Sequence, residues 1–237
     1  CSSDLWTPNT TDAGGKRYRY GHQPHIGQWN LMQLANAIYP LIDSVEPLQD
    51  ALTSYVKHYE TGTLNMLAGK LGVSQLAAED PLIQKVDEVL SLIETDMTLF
   101  YRKLADVDLL GADTLDDAAL TRPLEDAYYD LNTLNESNPP QIAAFLRELA
   151  QRVRAEGREP GERRAQMNAT NPKFVLRNYL AQLAIDKAEE GDDGLVNELL
   201  EVLRRPYDEQ PESEHYAAKR PEWARVRPGC SMLSCSS

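Results

Sequence analysis

Cysteine is scarce in this sequence and lies at the chain ends. Of 237 residues, Cys1, Cys230 and Cys235 are the three cysteines. So few thiols, so far apart, exclude the dense disulfide framework of a small secreted domain. No Cys-x-x-Cys pair is present, and the spacing of the four histidines does not match a zinc site: His22, His25, His58 and His215. We therefore predict no metal site from these residues.

Long apolar runs and excess positive charge are also missing. No run reaches the roughly 20 apolar residues that span a bilayer, so we predict no membrane partner. There are 24 Lys and Arg against 37 Asp and Glu, a net charge of -13. Such a surface repels phosphate backbones, and nucleic acid is not an expected partner. The chain starts at Cys1 without a visible targeting segment, which suggests a fragment or a processed product.

Helical periodicity dominates the middle of the chain. Residues 1–26 are rich in Asn, Thr, Gly, Pro and Arg and predict a loop, 27–205 predict helices, and 206–237 predict an extended tail. Asp80-Pro81 is a helix start signal, and Asn171-Pro172 is taken as another. The helix after Pro81 is predicted to carry one long apolar stripe: Leu82, Val86, Val89, Leu90, Ile93, Met97, Phe100 and Leu104. No alternating strand pattern is present, so the expected class is mainly α.

Three motif strings stand out because each is a run of specific residue types. The first comprises 7–12 (TPNTTD), 17–21 (RYRYG) and 23–31 (QPHIGQWNL). The second is 167–180 (MNATNPKFVLRNYL), and the third is the terminal 234–237 (SCSS) after 206–211 (PYDEQP). Together, and in this order, they resemble the selenoprotein O family, also known as the YdiU family.

The resemblance implies the helical C-terminal lobe of a protein-kinase-like fold. Family members bind ATP and Mg²⁺ and transfer AMP to hydroxyl groups of protein substrates. In the family, the residues that hold the nucleotide and the metal precede the string at 7–12. The N-terminal catalytic lobe is therefore expected to be absent from this chain and to be its intramolecular partner. No catalytic, ATP-binding or metal-binding residue can be assigned here, and the chain alone is expected to be inactive.

The resemblance also implies a redox role for Cys235 and a compartment. Cys235 lies three residues from the C-terminus, where a thiol is accessible to oxidation. Cys230 is near enough in sequence for a local disulfide, while Cys1 is an alternative partner in a shifted register. An inert exposed thiol is the other interpretation. Eukaryotic members are mitochondrial as a class and bacterial members cytoplasmic, so the location depends on the source.

Several polar residues have both a structural and a functional interpretation. The segment 17–20, with His22 and His25, either forms a basic lip or packs its tyrosines on the helices. Arg177 either makes a buried ion pair or reaches a phosphate. Trp223 is expected to anchor the tail on the helical body.

Two further functions remain open at this point. The segment could be a stand-alone helical redox or interaction module without catalysis, since it contains no nucleotide-binding motif. A kinase that transfers the γ-phosphate is a weaker alternative, because the strings do not resemble those of ordinary kinases.

Overall fold

The computed structural model describes residues 20–137, 139–227 and 230, and these are mostly helical. The α-helices are Gln23–Ile42 (α1), Glu46–Leu71 (α2), Pro81–Leu92 (α3), Met97–Leu104 (α4), Asp117–Thr121 (α5), Leu131–Ser137 (α6), Pro139–Glu156 (α7), Pro160–Thr170 (α8), Asn178–Glu189 (α9) and Gly194–Leu203 (α10). Four 3₁₀ helices cover Tyr20–His22, Arg122–Ala127, Pro211–Ala217 and Glu222–Arg225. The mainly α class is confirmed.

The first hydrophobic core surrounds α7. Helices α3 and α5 pack against α7, and the end of α2 packs against α8. The core residues lie at helical spacing on α7, where Ile142, Leu146 and Leu149 are fully buried, and they meet Phe100 and Leu104 of α4. The apolar stripe between Leu82 and Leu104 was expected to face a core, and apart from Met97 its members are buried. Burial of these side chains is the main stabilising contribution to this part of the chain.

That stripe does not form one helix, as the sequence predicts, but two. Helix α3 ends at Leu92, and Asp96 begins α4 by accepting a hydrogen bond from the Leu99 amide at 3.0 Å. Thr95 forms an isolated antiparallel bridge with Tyr128, and the Asp96 amide donates to the Ala127 carbonyl. The backbone of 94–96 is therefore paired with a distant segment, and it cannot also continue the helix.

The second hydrophobic core joins α9 and α10 to residues 206–227 and Cys230, which are called the C-terminal segment below. Phe174, Tyr179 and Leu199 are buried there together with Tyr216 and Ala224. The expected extended tail is a wrong prediction over 206–227 and at residue 230, because this part folds into two 3₁₀ helices and contributes to the core. Short 3₁₀ turns leave no 3.6-residue periodicity for sequence analysis to find.

The helix predicted to open at Asn171-Pro172 begins later. Helix α8 ends at Thr170, and α9 begins at Asn178 with Arg177 as its N-cap residue. Between them the amides of Lys173 and Phe174 both donate to the Pro206 carbonyl, at 2.8 and 3.0 Å. This pairing with the C-terminal segment takes the amides that a helix would have used.

Helices α1 and α2 form a hairpin that extends from the first core. Helix α1 begins at Gln23, so four residues of the predicted loop 1–26 are α-helical, and the 3₁₀ helix Tyr20–His22 precedes them. The Tyr55 hydroxyl of α2 donates to the Pro24 carbonyl at 3.0 Å and approaches Gly27 so closely that a methyl group there would lie 2.7 Å from the oxygen. None of the 20 residues of α1 is buried.

Gly72 should be intolerant of a side chain. It ends α2 with φ 72°, and a methyl group there would lie 2.6 Å from Met167 Sδ. We expect Gly72→Ala to lower the free energy of unfolding by about 2–4 kcal/mol, from left-handed strain plus overpacking. Gly157→Ala is the matched control, since Gly157 has φ 62° and open space around it. It should cost about 1 kcal/mol. If urea unfolding shows that the two variants lose the same free energy of unfolding, the steric argument is contradicted.

Candidate functional site

The second motif string lies at the junction of the two cores, where Asn171 is almost completely buried. Its amide nitrogen donates to the Lys70 carbonyl at 3.1 Å and to the Tyr101 carbonyl at 3.4 Å. Its amide oxygen accepts from Lys70 Nζ at 3.2 Å. Burial lowers the pKa of Lys70. One asparagine thus joins the ends of α2, α4 and α8, and its side-chain hydrogen bonds are used for structure.

Arg102 of α4 donates hydrogen bonds to four oxygen atoms from distant parts of the chain, and these contacts are called the Arg102 network below. Its Nη1 donates to the carbonyls of Asn168 and Asn171, each at 2.9 Å. Its Nη2 donates to the Tyr207 carbonyl at 3.3 Å and to Glu209 Oε1 at 2.6 Å. Sequence analysis missed this residue. In the sequence it is one of two adjacent basic residues, Arg102 and Lys103, and nothing in the local pattern distinguishes the buried one.

Arg177 forms the buried ion pair that the sequence favours over a phosphate contact. Its Nη2 lies 2.9 Å from Asp96 Oδ2 and 3.0 Å from Oδ1, and its Nε lies 3.2 Å from Oδ2. Both side chains are about nine-tenths buried, with 10% and 7% exposure. The pair fixes the start of α9 to the start of α4, because Asp96 is also the N-cap residue of α4.

A cleft of about 740 Å³, lined mostly by charged residues, lies beside Arg102. Its lining comes from α4, α8, the 3₁₀ segment Arg122–Ala127, Lys173 and residues between Glu209 and Lys219. Lys173 Nζ lies 2.5 Å from a carboxylate oxygen of both Glu209 and Glu214. Burial alone would lower the pKa of Lys173, but hydrogen bonds with these two glutamates outweigh it and raise the pKa. The Lys173 hydrogen bond, against the effect of burial, holds the pKa of Glu209 below its usual value.

One carboxylate beside the first core forms ion pairs with two arginines of the C-terminal segment. Glu94, between α3 and α4, accepts from Arg220 Nη2 at 2.6 Å and from Arg225 Nη2 at 2.7 Å. Burial alone would raise the pKa of Glu94, but the two guanidinium groups outweigh it and lower the pKa. A lowered folded-state pKa stabilises the fold above the unfolded pKa, and this contribution is lost as the pH falls through the folded value.

The predicted redox pair is only partly described. Cys230 is buried in the second core, and burial raises the pKa of its thiol. A protonated, covered thiol reacts slowly with oxidants. Cys1, Cys235 and the segment 17–19 lie outside the described residues, so the pairing and the redox role of Cys235 stay predictions. Trp223 meets Tyr179 edge-on with ring centroids 6.2 Å apart, which agrees with its expected anchoring role.

Among the described residues, no group of three His, Cys, Asp or Glu side chains is arranged to hold a metal ion. His22 and His25 lie together at the start of α1, their ring centroids 6.2 Å apart. No helix in the described part of the chain is long and apolar enough to cross a membrane.

Comparison with known proteins gives a consistent result. The sequence model of the family "Protein adenylyltransferase SelO" matches residues 3–204. The chain belongs to this family. Relatives named "Protein nucleotidyltransferase YdiU" include those of Rhodopirellula baltica, 54% identical over 98% of this chain and 44% of that protein, and Azoarcus sp., 53% identical over 98% and 43%. The protein of Flavobacterium johnsoniae is 44% identical over 98% and 44%.

Family membership confirms the resemblance that the motif strings carried. This SelO-family chain spans less than half the length of the relatives that it matches. Within it, the string at 167–180 forms the junction of two cores, with Asn171 and Arg177 both engaged in structural contacts. The fold itself therefore explains the roles of Asn171 and Arg177.

Removal of Asp96 should destabilise the fold strongly. Asp96→Ala leaves the Arg177 guanidinium buried without a counterion, so we expect the free energy of unfolding to fall by about 3–5 kcal/mol. Asp116→Ala is the control, because Asp116 is an N-cap that accepts from the Ala119 amide at 2.7 Å and makes no such buried pair. Its loss should cost about 1 kcal/mol. Similar losses in urea unfolding would show that the ion pair adds nothing beyond the cap.

Glu94 should control access to Cys230. In a Cys1→Ser/Cys235→Ser background, where Cys230 is the remaining thiol, we expect Glu94→Gln to raise its alkylation rate at pH 8 roughly fivefold. The reason is that two partly exposed ion pairs, together worth about 1 kcal/mol, no longer hold the segment. Glu88→Gln, an exposed change on α3, should leave the rate unchanged. An unchanged rate in the Glu94 variant would contradict the fastening role.

Proposed function

We propose that this chain is the C-terminal helical part of a protein adenylyltransferase that transfers AMP from ATP to Ser, Thr or Tyr hydroxyls of proteins. The observation that carries the proposal is the family match over residues 3–204. It is supported by relatives named as nucleotidyltransferases that align with 98% of the chain. Protein substrates are the proposed partners.

The nucleotide and metal chemistry is assigned to the part of the protein beyond this chain. ATP would supply the AMP group, and Mg²⁺ would neutralise charge on its phosphates. The described residues do not fit such a group, since none of their acidic clusters is arranged as a metal site. In the proposal, this chain supplies the helical lobe of a kinase-like fold and is inactive by itself.

The α1–α2 hairpin is the proposed contact with the rest of the protein. A 20-residue helix without a buried residue is unusual in a folded protein, because a helix normally buries one apolar face. Here α1 exposes several large apolar side chains, and its exposed fractions include 42% for Trp29, 54% for Leu34 and 86% for Leu41. Apolar side chains this concentrated mark an interaction surface. This chain covers only 44% of the Rhodopirellula baltica relative, and the occupant that we propose is a catalytic N-terminal part of the same protein.

A stand-alone helical module remains the second candidate. Two hydrophobic cores close within the described residues without a second chain, which favours a segment that folds by itself.

In either case we propose that the redox function resides in Cys235, because Cys230 is covered. The relatives compared are bacterial, which favours a cytoplasmic over a mitochondrial location.

The decisive experiment measures AMP transfer. We expect the full-length gene product, incubated with Mg²⁺ and ATP labelled at the α-phosphate, to incorporate AMP into itself or into added proteins. The 237-residue chain alone should incorporate none, because the groups that bind ATP lie outside it. Radiolabel detection followed by mass spectrometry would identify the modified hydroxyls. Equal absence of AMP from both proteins, under reducing and oxidising conditions, would favour the stand-alone module.

A matched pair of α1 variants tests the role of the hairpin in the same assay. Leu34→Arg places a charge on the apolar surface, and Gln33→Arg places the same charge on the adjacent exposed position. If α1 contacts the catalytic part, Leu34→Arg should lower the rate of AMP transfer at least tenfold, which corresponds to about 1.4 kcal/mol. The Gln33→Arg variant should keep most of the activity. Identical activities would remove α1 from the proposed interface.

A further inference from the structure

We propose that the cleft beside Arg102 binds a phosphate-class oxyanion, which takes the place of the Glu209 carboxylate between Arg102 and Lys173. The proposal concerns a binding site within this chain and does not rest on AMP transfer. Its ligand is defined by chemistry: a compact group with two negative charges and several oxygen acceptors, either free phosphate or the phosphate group of a nucleotide.

The charges of the cleft are arranged with the cations inside and the acids outside. The side chains of Arg102 and Lys173 are 10% and 14% exposed. Those of Glu209 and Glu214, which neutralise them, are 63% and 61% exposed. A cation that is already desolvated gains more from a counterion than one in water does. The glutamates are mostly in solvent, so they can turn away when an oxyanion replaces them as counterion of the two cations.

The Glu209 carboxylate marks the position that the oxyanion would take. One of its oxygens accepts from Arg102 Nη2 at 2.6 Å, and the other accepts from Lys173 Nζ at 2.5 Å. Two oxygens of one group therefore bridge two cations from separate segments. A phosphate group can make the same two contacts and has a further oxygen and a further charge.

The surroundings of this position also favour an anion. Five of the cleft residues are Lys or Arg and four are Asp or Glu. The whole chain has the opposite balance, with 24 basic and 37 acidic residues. Lys103 and Arg164 of the cleft have their own exposed acidic partners, Asp126 and Asp106.

The test uses variants with opposite expected signs. Binding of inorganic phosphate, sulfate and AMP to the full-length gene product is measured by calorimetry at constant ionic strength, with chloride as the balancing anion. Glu209→Gln removes the competing charge, so phosphate and sulfate should bind roughly fivefold more tightly. Glu212→Gln, which changes an exposed acid of the same segment outside the cleft, should leave the affinity unchanged. Lys173→Met should abolish the gain when combined with Glu209→Gln.

A second variant covers the case in which Lys173→Met fails to fold. Arg164 is 60% exposed at the rim of the cleft, so Arg164→Gln should retain the fold and weaken anion binding about twofold to threefold. If Glu209→Gln tightens the binding of AMP as much as that of phosphate, a nucleotide phosphate is a ligand of the cleft. If only the inorganic ions bind more tightly, the ligand is a free anion. Equal anion affinities of the Glu209→Gln and Glu212→Gln proteins would overturn the proposal, whatever the outcome of the AMP-transfer assay.

Discussion

The burial of the Arg102 guanidinium is the constraint on which this architecture depends. Arginine stays charged in proteins, so a nearly buried one needs acceptors around it. Arg102 finds them in the carbonyls of Asn168, Asn171 and Tyr207 and in the carboxylate of Glu209. These groups come from the end of α8, the turn after it and the C-terminal segment. Satisfying one cation therefore brings the second core against the first and shapes the cleft between them.

The sequence predicts the faces of the helices better than their ends. The stripe from Leu82 to Leu104 identifies core residues because apolar spacing of three and four follows from helix geometry alone. The break at Glu94–Asp96 escapes this reasoning, since it depends on backbone pairing with residues about 30 positions away. The same reason explains the late start of α9 and the folded C-terminal segment, where Pro206 captures two amides from a distant turn.

The candidate sites show the same division. The motif strings were sufficient to identify the family, and the ion pair of Arg177 followed from the cost of burying a charge in a helical core. Its partner Asp96 did not follow, and neither did the cleft, whose lining extends from Leu99 to Lys219. Residues so far apart in sequence become neighbours through tertiary packing, and no local pattern records it. The sequence likewise suggested Cys230 as a disulfide partner of Cys235, and its burial depends on the fold of the whole C-terminal segment.

The order in which the chain leaves the ribosome gives the Arg102 network a further meaning. The last residue of the first core is Met167, whereas Glu209 follows Arg102 by 107 residues. Because translation proceeds from the N-terminus, the first core can close before the second has been synthesised. In that intermediate the Arg102 guanidinium lies at the edge of the folded first core, before the Glu209 carboxylate has been synthesised. Synthesis of the segment that carries Tyr207 and Glu209 thus completes a docking site that the nascent chain has already built.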